Sequence, residues 1–138
     1  MPTGSKRQPT QPKRRSKLAV GVLIVDDERI IRTLIGIAIK RAGELFVVGE
    51  AGDGRDALKS LEAAKPDAVV LDERMPGMSG LETAAEMLRR RPNLPIILCT
   101  AYLDEQLRRR AQKAGVSMCV PKADFKQIPL YIWQLTAA

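Results

Sequence analysis

Five short apolar runs, each closed by a residue with chemistry of its own, constrain this chain more than any other feature. Residues 19–25 form a continuous apolar segment rich in Val and Ile that stops at Asp26-Asp27. A run of that kind is what a strand buried on both faces requires. The same reading predicts strands over residues 45–49, 68–71 (ending at Asp72), 96–99 (ending at Thr100) and 116–120 (before Pro121-Lys122). The intervals carry helical signals. Ile31, Leu34, Ile35 and Ala38 recur at helical spacing over residues 28–42, with Gly43 as the stop. Gly52-Asp53-Gly54 turns into a helix bearing Ala57, Leu58 and Leu61, and Pro66 ends that region. Ser79 suits the cap of a helix reaching Arg90. A basic helix over 103–114 is terminated by Gly115, and Pro129 belongs in the first turn of a last helix starting near Ile128. That helix is expected to turn Leu130, Ile132 and Trp133 inward. Five strands alternating with five helices predict an α/β fold: a five-stranded parallel sheet, doubly wound, covered on both faces.

The length of 138 residues suits one domain, residues 18–138, with no room for a second after the last helix. Residues 1–17 differ in kind. They hold six of the 23 basic residues, Lys6, Arg7, Lys13, Arg14, Arg15 and Lys17, before the first acid at Asp26, so the net charge of +7 is almost all tail. Their Pro, Gln, Ser and Lys content predicts disorder. The tail lacks the apolar stretch of a signal peptide, and Pro2, Pro9 and Pro12 break the amphipathic helix a transit peptide needs. No apolar run approaches the roughly 18 residues of a spanning helix, so no membrane role is expected. Cys99 and Cys119 have no metal-like spacing and sit in apolar stretches, which fits reduced thiols in a cytoplasmic protein. Histidine is absent, removing the commonest general base and metal ligand.

The polar residues at the strand ends carry the functional signal. In an open parallel sheet the carboxyl ends of the strands meet at one edge, where ligands bind. Asp26, Asp27, Asp72, Thr100 and Lys122 would converge there. Three carboxylates repel one another and need a counter-charge, and hard oxygen ligands favour Mg²⁺. Such a site neutralises a phosphoryl group arriving at a carboxylate, with Lys122 pairing to one phosphoryl oxygen and Thr100 donating to another.

The pieces Leu23-Ile24-Val25-Asp26-Asp27, Val70-Leu71-Asp72-Glu73-Arg74-Met75-Pro76-Gly77-Met78-Ser79-Gly80, Cys99-Thr100-Ala101 and Pro121-Lys122 resemble the receiver domains of bacterial two-component response regulators. The likeness covers residues 18–136. It implies the flavodoxin-like strand order 2-1-3-4-5 and a phosphoacceptor at Asp72. It also implies Mg²⁺ ligation by Asp27, Asp72 and the backbone carbonyl of Arg74, with Asp26 acting through water. A sensor histidine kinase or histidine phosphotransfer protein would donate the phosphoryl group. Thr100 and Lys122 would sense it, and the surface of the fourth helix, fifth strand and fifth helix would meet a target. Such a domain catalyses only its own phosphorylation and dephosphorylation, and a stand-alone switch working through protein contacts is the expected form. Cys119 stands where the family usually has an aromatic residue, so the inward swing of Tyr or Phe is not available. Ala123 replaces a common Pro. Arg74 and Tyr102 occupy positions that tune phosphoryl lifetime in the family.

Rival readings remain in view. The basic tail would suit nucleic acid, either in a nucleic-acid-binding regulator or in the receiver part of a DNA-binding one, though no helix-turn-helix or aromatic platform accompanies it. An Mg²⁺-dependent phosphohydrolase shares the chemistry, but Arg74 stands where its second aspartate belongs. Gly49 and Gly54 have the outer spacing of a P-loop, yet Arg55 and Asp56 replace the required Lys and Ser/Thr, so nucleotide binding is rejected there. Met75 and Met78 read as loop packing. Arg89-Arg90-Arg91 and Arg108-Arg109-Arg110 read as solvated helix faces, the second also as a seam for an acidic partner or a homodimer. Leu103 and Leu107 fit either that seam or the core.

Overall fold

The computed structural model describes residues 19–137, and the expected basic tail, residues 1–17, lies outside them. Five strands, β1 (Val20–Val25), β2 (Leu45–Ala51), β3 (Ala68–Leu71), β4 (Ile96–Thr100) and β5 (Met118–Pro121), form one parallel sheet in the order β2-β1-β3-β4-β5. They alternate with α1 (Arg29–Ala42), α2 (Gly54–Ala64), α3 (Gly80–Arg90), α4 (Glu105–Ala114) and α5 (Ile128–Thr136). This is the expected flavodoxin-like, doubly wound arrangement.

The three inner strands are the most apolar because both of their faces are covered: β3 and β4 are buried throughout and β1 in all but its first residue. Alternation along each strand divides the core in two. Leu23, Val25, Val69, Leu71, Ile96 and Leu98 pack under α2, α3 and α4, joined by Leu61, Met87 and Leu107. Val22, Ile24, Val70, Ile97 and Cys99 pack under α1 and α5, joined by Ile35, Ile39, Ile128 and Ile132.

Local chemistry sets the helix ends. Asp53 accepts from the Asp56 N–H, Ser79 and Glu82 form a reciprocal capping box, and Asp104 accepts from the Leu107 N–H. The Asp104 cap moves the start of α4 from the expected 103 to 105. Leu103 and Leu107 both join the core, leaving Arg108, Arg109 and Arg110 exposed. Strand β2 runs on to Ala51, so Gly49 lies within a strand and is no part of a phosphate loop. Strand β5 begins at Met118, two residues later than expected, because Val116 is drawn into the core beside the α4 terminus. A 3₁₀ segment, Lys122–Gln127, which the sequence reading did not assign, precedes α5.

Two helix faces differ from expectation. In α1 the buried residues are Ile35, Gly36 and Ile39, while Leu34 is 39% exposed. In α5 Ile128, Pro129 and Ile132 face the core, whereas Leu130 and Trp133 are 52% and 37% exposed. Both helices carry apolar residues on more than one side, so periodicity alone does not choose the inner face. The geometry of the sheet does.

Truncations in α5 check that assignment. Ile132→Ala is expected to cost about 2–4 kcal/mol in urea unfolding, whereas Leu130→Ala costs about 1 kcal/mol or less. Equal losses would return Leu130 to the core.

Candidate functional site

The strand register assembles the site. Val25 pairs with Leu71, so the next residues, Asp26 and Asp72, leave the sheet side by side. Thr100 at the end of β4 pairs with Pro121 of β5, which places Lys122 just beyond. One ligand oxygen from each of Asp26, Asp27 and Asp72 lies within 4.8 Å of the others. The Lys122 ammonium reaches Asp26 Oδ2 at 2.9 Å, Asp72 Oδ2 at 3.3 Å and Glu28 Oε1 at 3.5 Å.

Asp26 and Asp72 are 2% and 3% exposed, whereas Asp27 is open to solvent. Burial is the largest influence on Asp72 and the Asp26 charge adds to it. Together they outweigh Lys122 and a hydrogen bond from the Arg74 backbone N–H, and the Asp72 pKa rises from 3.8 to about 6. Burial works against the charge on Lys122, but its hydrogen bond to Asp26 and the two aspartate charges prevail, pushing its pKa up. The ammonium is therefore fixed in its charged form at neutral pH. Both Asp26 oxygens are already engaged, Oδ1 by the Glu28 N–H at 2.9 Å and Oδ2 by Lys122. Asp27 has no side-chain partner among the described residues and points a free carboxylate at the cluster.

Thr100 is 1% exposed, and its hydroxyl makes no hydrogen bond among the described residues. A buried unpaired hydroxyl at the site edge suits an oxyanion ligand. At the mouth, the Arg74 guanidinium stands 4.6 Å from the centre of the Tyr102 ring, and Tyr102 is 67% exposed. All the expected site residues thus lie on one edge of the sheet or on the loops leaving it. A hard divalent cation fits this donor set of carboxylate oxygens.

Several supporting residues were given no role by the sequence, although Glu73 and Gly80 lie in the motif that carries the family likeness. A Cβ at Gly80 would collide with the Asp72 carbonyl oxygen and the Glu73 Cα, so the chain can fold back over Asp72 only with glycine there. Glu73 accepts from the Leu81 N–H at 2.9 Å and ties the loop to α3. Arg32 contacts the Asp26 carbonyl, and Glu28 adds a third carboxylate to Lys122. These links join residues far apart in the chain or depend on backbone proximity, which periodicity does not encode.

Cys119 is half-buried against the core, and burial pushes its pKa up; burial raises that of Cys99 to about 12. Both are free thiols, Cys99 buried and Cys119 partly so.

The family model for the response regulator receiver domain matches residues 22–131. The chain is 36% identical over 98 residues to the response regulator GacA of Pseudomonas syringae pv. syringae, covering 71% of this chain and 46% of that protein. It is 37% identical over 111 residues to the DNA-binding transcriptional activator DevR/DosR of Mycobacterium tuberculosis, covering 80% of this chain and 51% of that one. It spans about half the length of these curated relatives. The signal receiver domain of the putative response regulator NarL from Mycobacterium tuberculosis superposes with a TM-score of 0.78 at 30% identity, covering 86% of this chain and 96% of that one.

The raised Asp72 pKa has a stability signature without added metal. The folded state holds this proton more tightly than the unfolded chain, so the associated stability is full below about pH 3.8 and is lost as pH rises through about 6. Asp72→Asn removes the buried charge. It is expected to gain on the order of 2–3 kcal/mol at pH 7.5, since the pKa of about 6 already includes the attraction of Lys122. The gain should vanish near pH 3.5 in urea unfolding; a difference independent of pH would show that Asp72 ionises normally.

Proposed function

The chain belongs to the response regulator receiver domain family, and from that membership we propose that it is a phosphorylation switch with Asp72 as phosphoacceptor. The observation that carries this reading is the meeting of three carboxylates with Lys122 at the carboxyl edge of the sheet. Mg²⁺, held by Asp27, Asp72 and the Arg74 carbonyl and by Asp26 through water, would supply charge neutralisation for the incoming phosphoryl oxygens.

In this reading an Asp72 carboxylate oxygen attacks the phosphorus of a phosphohistidine on a sensor histidine kinase or histidine phosphotransfer protein. The P–N bond breaks, its electron pair remains on the imidazole nitrogen, and Asp72 becomes an acyl phosphate. Lys122 pairs with one phosphoryl oxygen and the Thr100 hydroxyl donates to another. Resetting follows when water attacks phosphorus. The P–O bond to Asp72 breaks with its electrons returning to the carboxylate, and the proton leaves with inorganic phosphate. No external substrate is turned over.

Output runs through protein contacts at α4, β5 and α5, with Thr100 drawn toward the phosphoryl group. Cys119 on β5 offers no aromatic lever to that surface. The Arg74–Tyr102 pair at the mouth adjusts how readily water reaches the acyl phosphate. Among the described residues no helix is long and apolar enough to cross a membrane.

The name of one relative, a DNA-binding transcriptional activator, favours a second reading in which this receiver serves a nucleic-acid-binding regulator. The basic residues before Asp26 would then neutralise phosphates, and binding would weaken steeply with salt. DNA binding by the full chain near physiological salt, lost on deleting residues 1–17, would favour it.

Incubation with Mg²⁺ and a small phosphodonor tests the main reading. Intact mass is expected to show one added phosphoryl group that requires Mg²⁺ and is absent from Asp72→Ala. Failure under conditions that label a control receiver, and with candidate kinases, would overturn it.

A further inference from the structure

Asp27 presents a carboxylate to the acidic cluster with no side-chain partner to aim it, so its position depends on the backbone between β1 and α1. Three contacts hold it around Asp26, besides the Ile31 and Arg32 amides that donate to the Glu28 carbonyl. The Asp26 N–H donates to the Ala51 carbonyl at 3.0 Å, the Glu28 N–H donates to Asp26 Oδ1, and Arg32 Nη1 donates to the Asp26 carbonyl at 2.6 Å. The third involves the carbonyl of the peptide unit joining Asp26 to Asp27. Fixing it fixes the plane from which the Asp27 side chain departs.

Arg32 is itself held. Its Nε donates to Glu50 Oε1 at 3.0 Å, and its side chain is only 17% exposed. Glu50 belongs to β2, paired in register beside β1, so the guanidinium joins the edge strand, the first turn of α1 and the loop bearing the acidic pair. The planar guanidinium donates to both acceptors from fixed directions, which a lysine ammonium cannot reproduce.

We propose that Arg32 is a positioning residue for the divalent cation: by clamping the Asp26 carbonyl against Glu50 it aims Asp27 into the metal site. The proposal rests on the reading of Asp26, Asp27 and Asp72 as a cation site. It predicts an effect opposite in sign to simple electrostatics. A guanidinium close to a cation site repels the cation, so removing its charge alone would tighten Mg²⁺ binding. Losing the clamp weakens binding, because groups that orient metal ligands typically contribute about 10–100-fold in affinity.

Mg²⁺ binding to the full chain is measured by titration calorimetry for wild type, Arg32→Met and Arg32→Lys, with thermal unfolding in the absence of Mg²⁺ as a check on folding. Arg32→Met is expected to raise the Mg²⁺ Kd by about 10-fold, the low end of that range. Arg32→Lys keeps the repelling charge but not the fork and is expected to raise the Kd at least as far as Arg32→Met. If Arg32→Met does not fold, the Lys variant decides: a raised Kd supports the clamp. A Kd unchanged or lowered in the folded variants overturns it while leaving the cation site standing. A wild-type chain that binds no Mg²⁺ overturns the cation site, and the clamp with it.

Discussion

The Lys122 ammonium allows two adjacent buried carboxylates to exist in one fold. Strand register alone brings Asp26 and Asp72 together at the sheet edge, where each is almost wholly shielded from water. Two such groups without a cation would not both ionise, since burial and mutual repulsion act in the same direction. Lys122 reaches both, although it follows β5, two strands away from β3 in the sheet. Its contribution is poise more than stability, because the desolvation of a buried ion pair consumes most of the Coulombic attraction. What results is a negative site with one free carboxylate, Asp27, facing solvent. Asp72 remains close enough to its titration range for its charge to depend on what else occupies the site.

Much of this was legible from the chain because a parallel sheet is a strict architecture. Strands covered on both faces must be apolar throughout, so β1, β3 and β4 stand out as uninterrupted runs. A polar residue at the end of such a run has one place to go. Asp26, Asp72, Thr100 and Lys122 were readable for that reason. Helix faces were less readable. Leu34, Leu130 and Trp133 are apolar residues at plausible helical positions, yet they face outward. Ile39 fills the core beneath α1, and of the three residues expected inward in α5 only Ile132 does so; the choice depends on where the sheet lies under each helix.

The loop after β3 shows a different limit. Its residues carried the family likeness, but likeness gives no physical reason for them. Gly77 takes a positive φ of 79°, which turns the chain at low cost. Gly80 then passes so close to the Asp72 carbonyl that no side chain fits, and its N–H donates to the Glu73 carbonyl. Glu73 and the Ser79–Glu82 box satisfy the first amides of α3. A similar close approach recurs at Gly54, where a Cβ would meet the Thr83 hydroxyl and Met78, so the α2 start and the loop after β3 constrain each other. Sequence separation hides this coupling entirely.

Cys119 bears on how a change at Asp72 could reach the outer face. A large side chain on β5 could rotate between two positions and carry a signal as a moving body. A thiol packed against the core has little volume to exchange. The direct links from Thr100 to the far edge of the sheet are therefore backbone ones, Thr100 with Pro121 and Cys99 with Val120. Pro121 lacks an N–H and has a restricted φ, so it resists local adjustment beside Lys122. A pull on Thr100 would then shift the end of β5 as a unit, together with the 3₁₀ segment that Lys122 opens and α5 beyond it. Closely packed elements respond in this way, by small collective displacement in place of a single rotamer change.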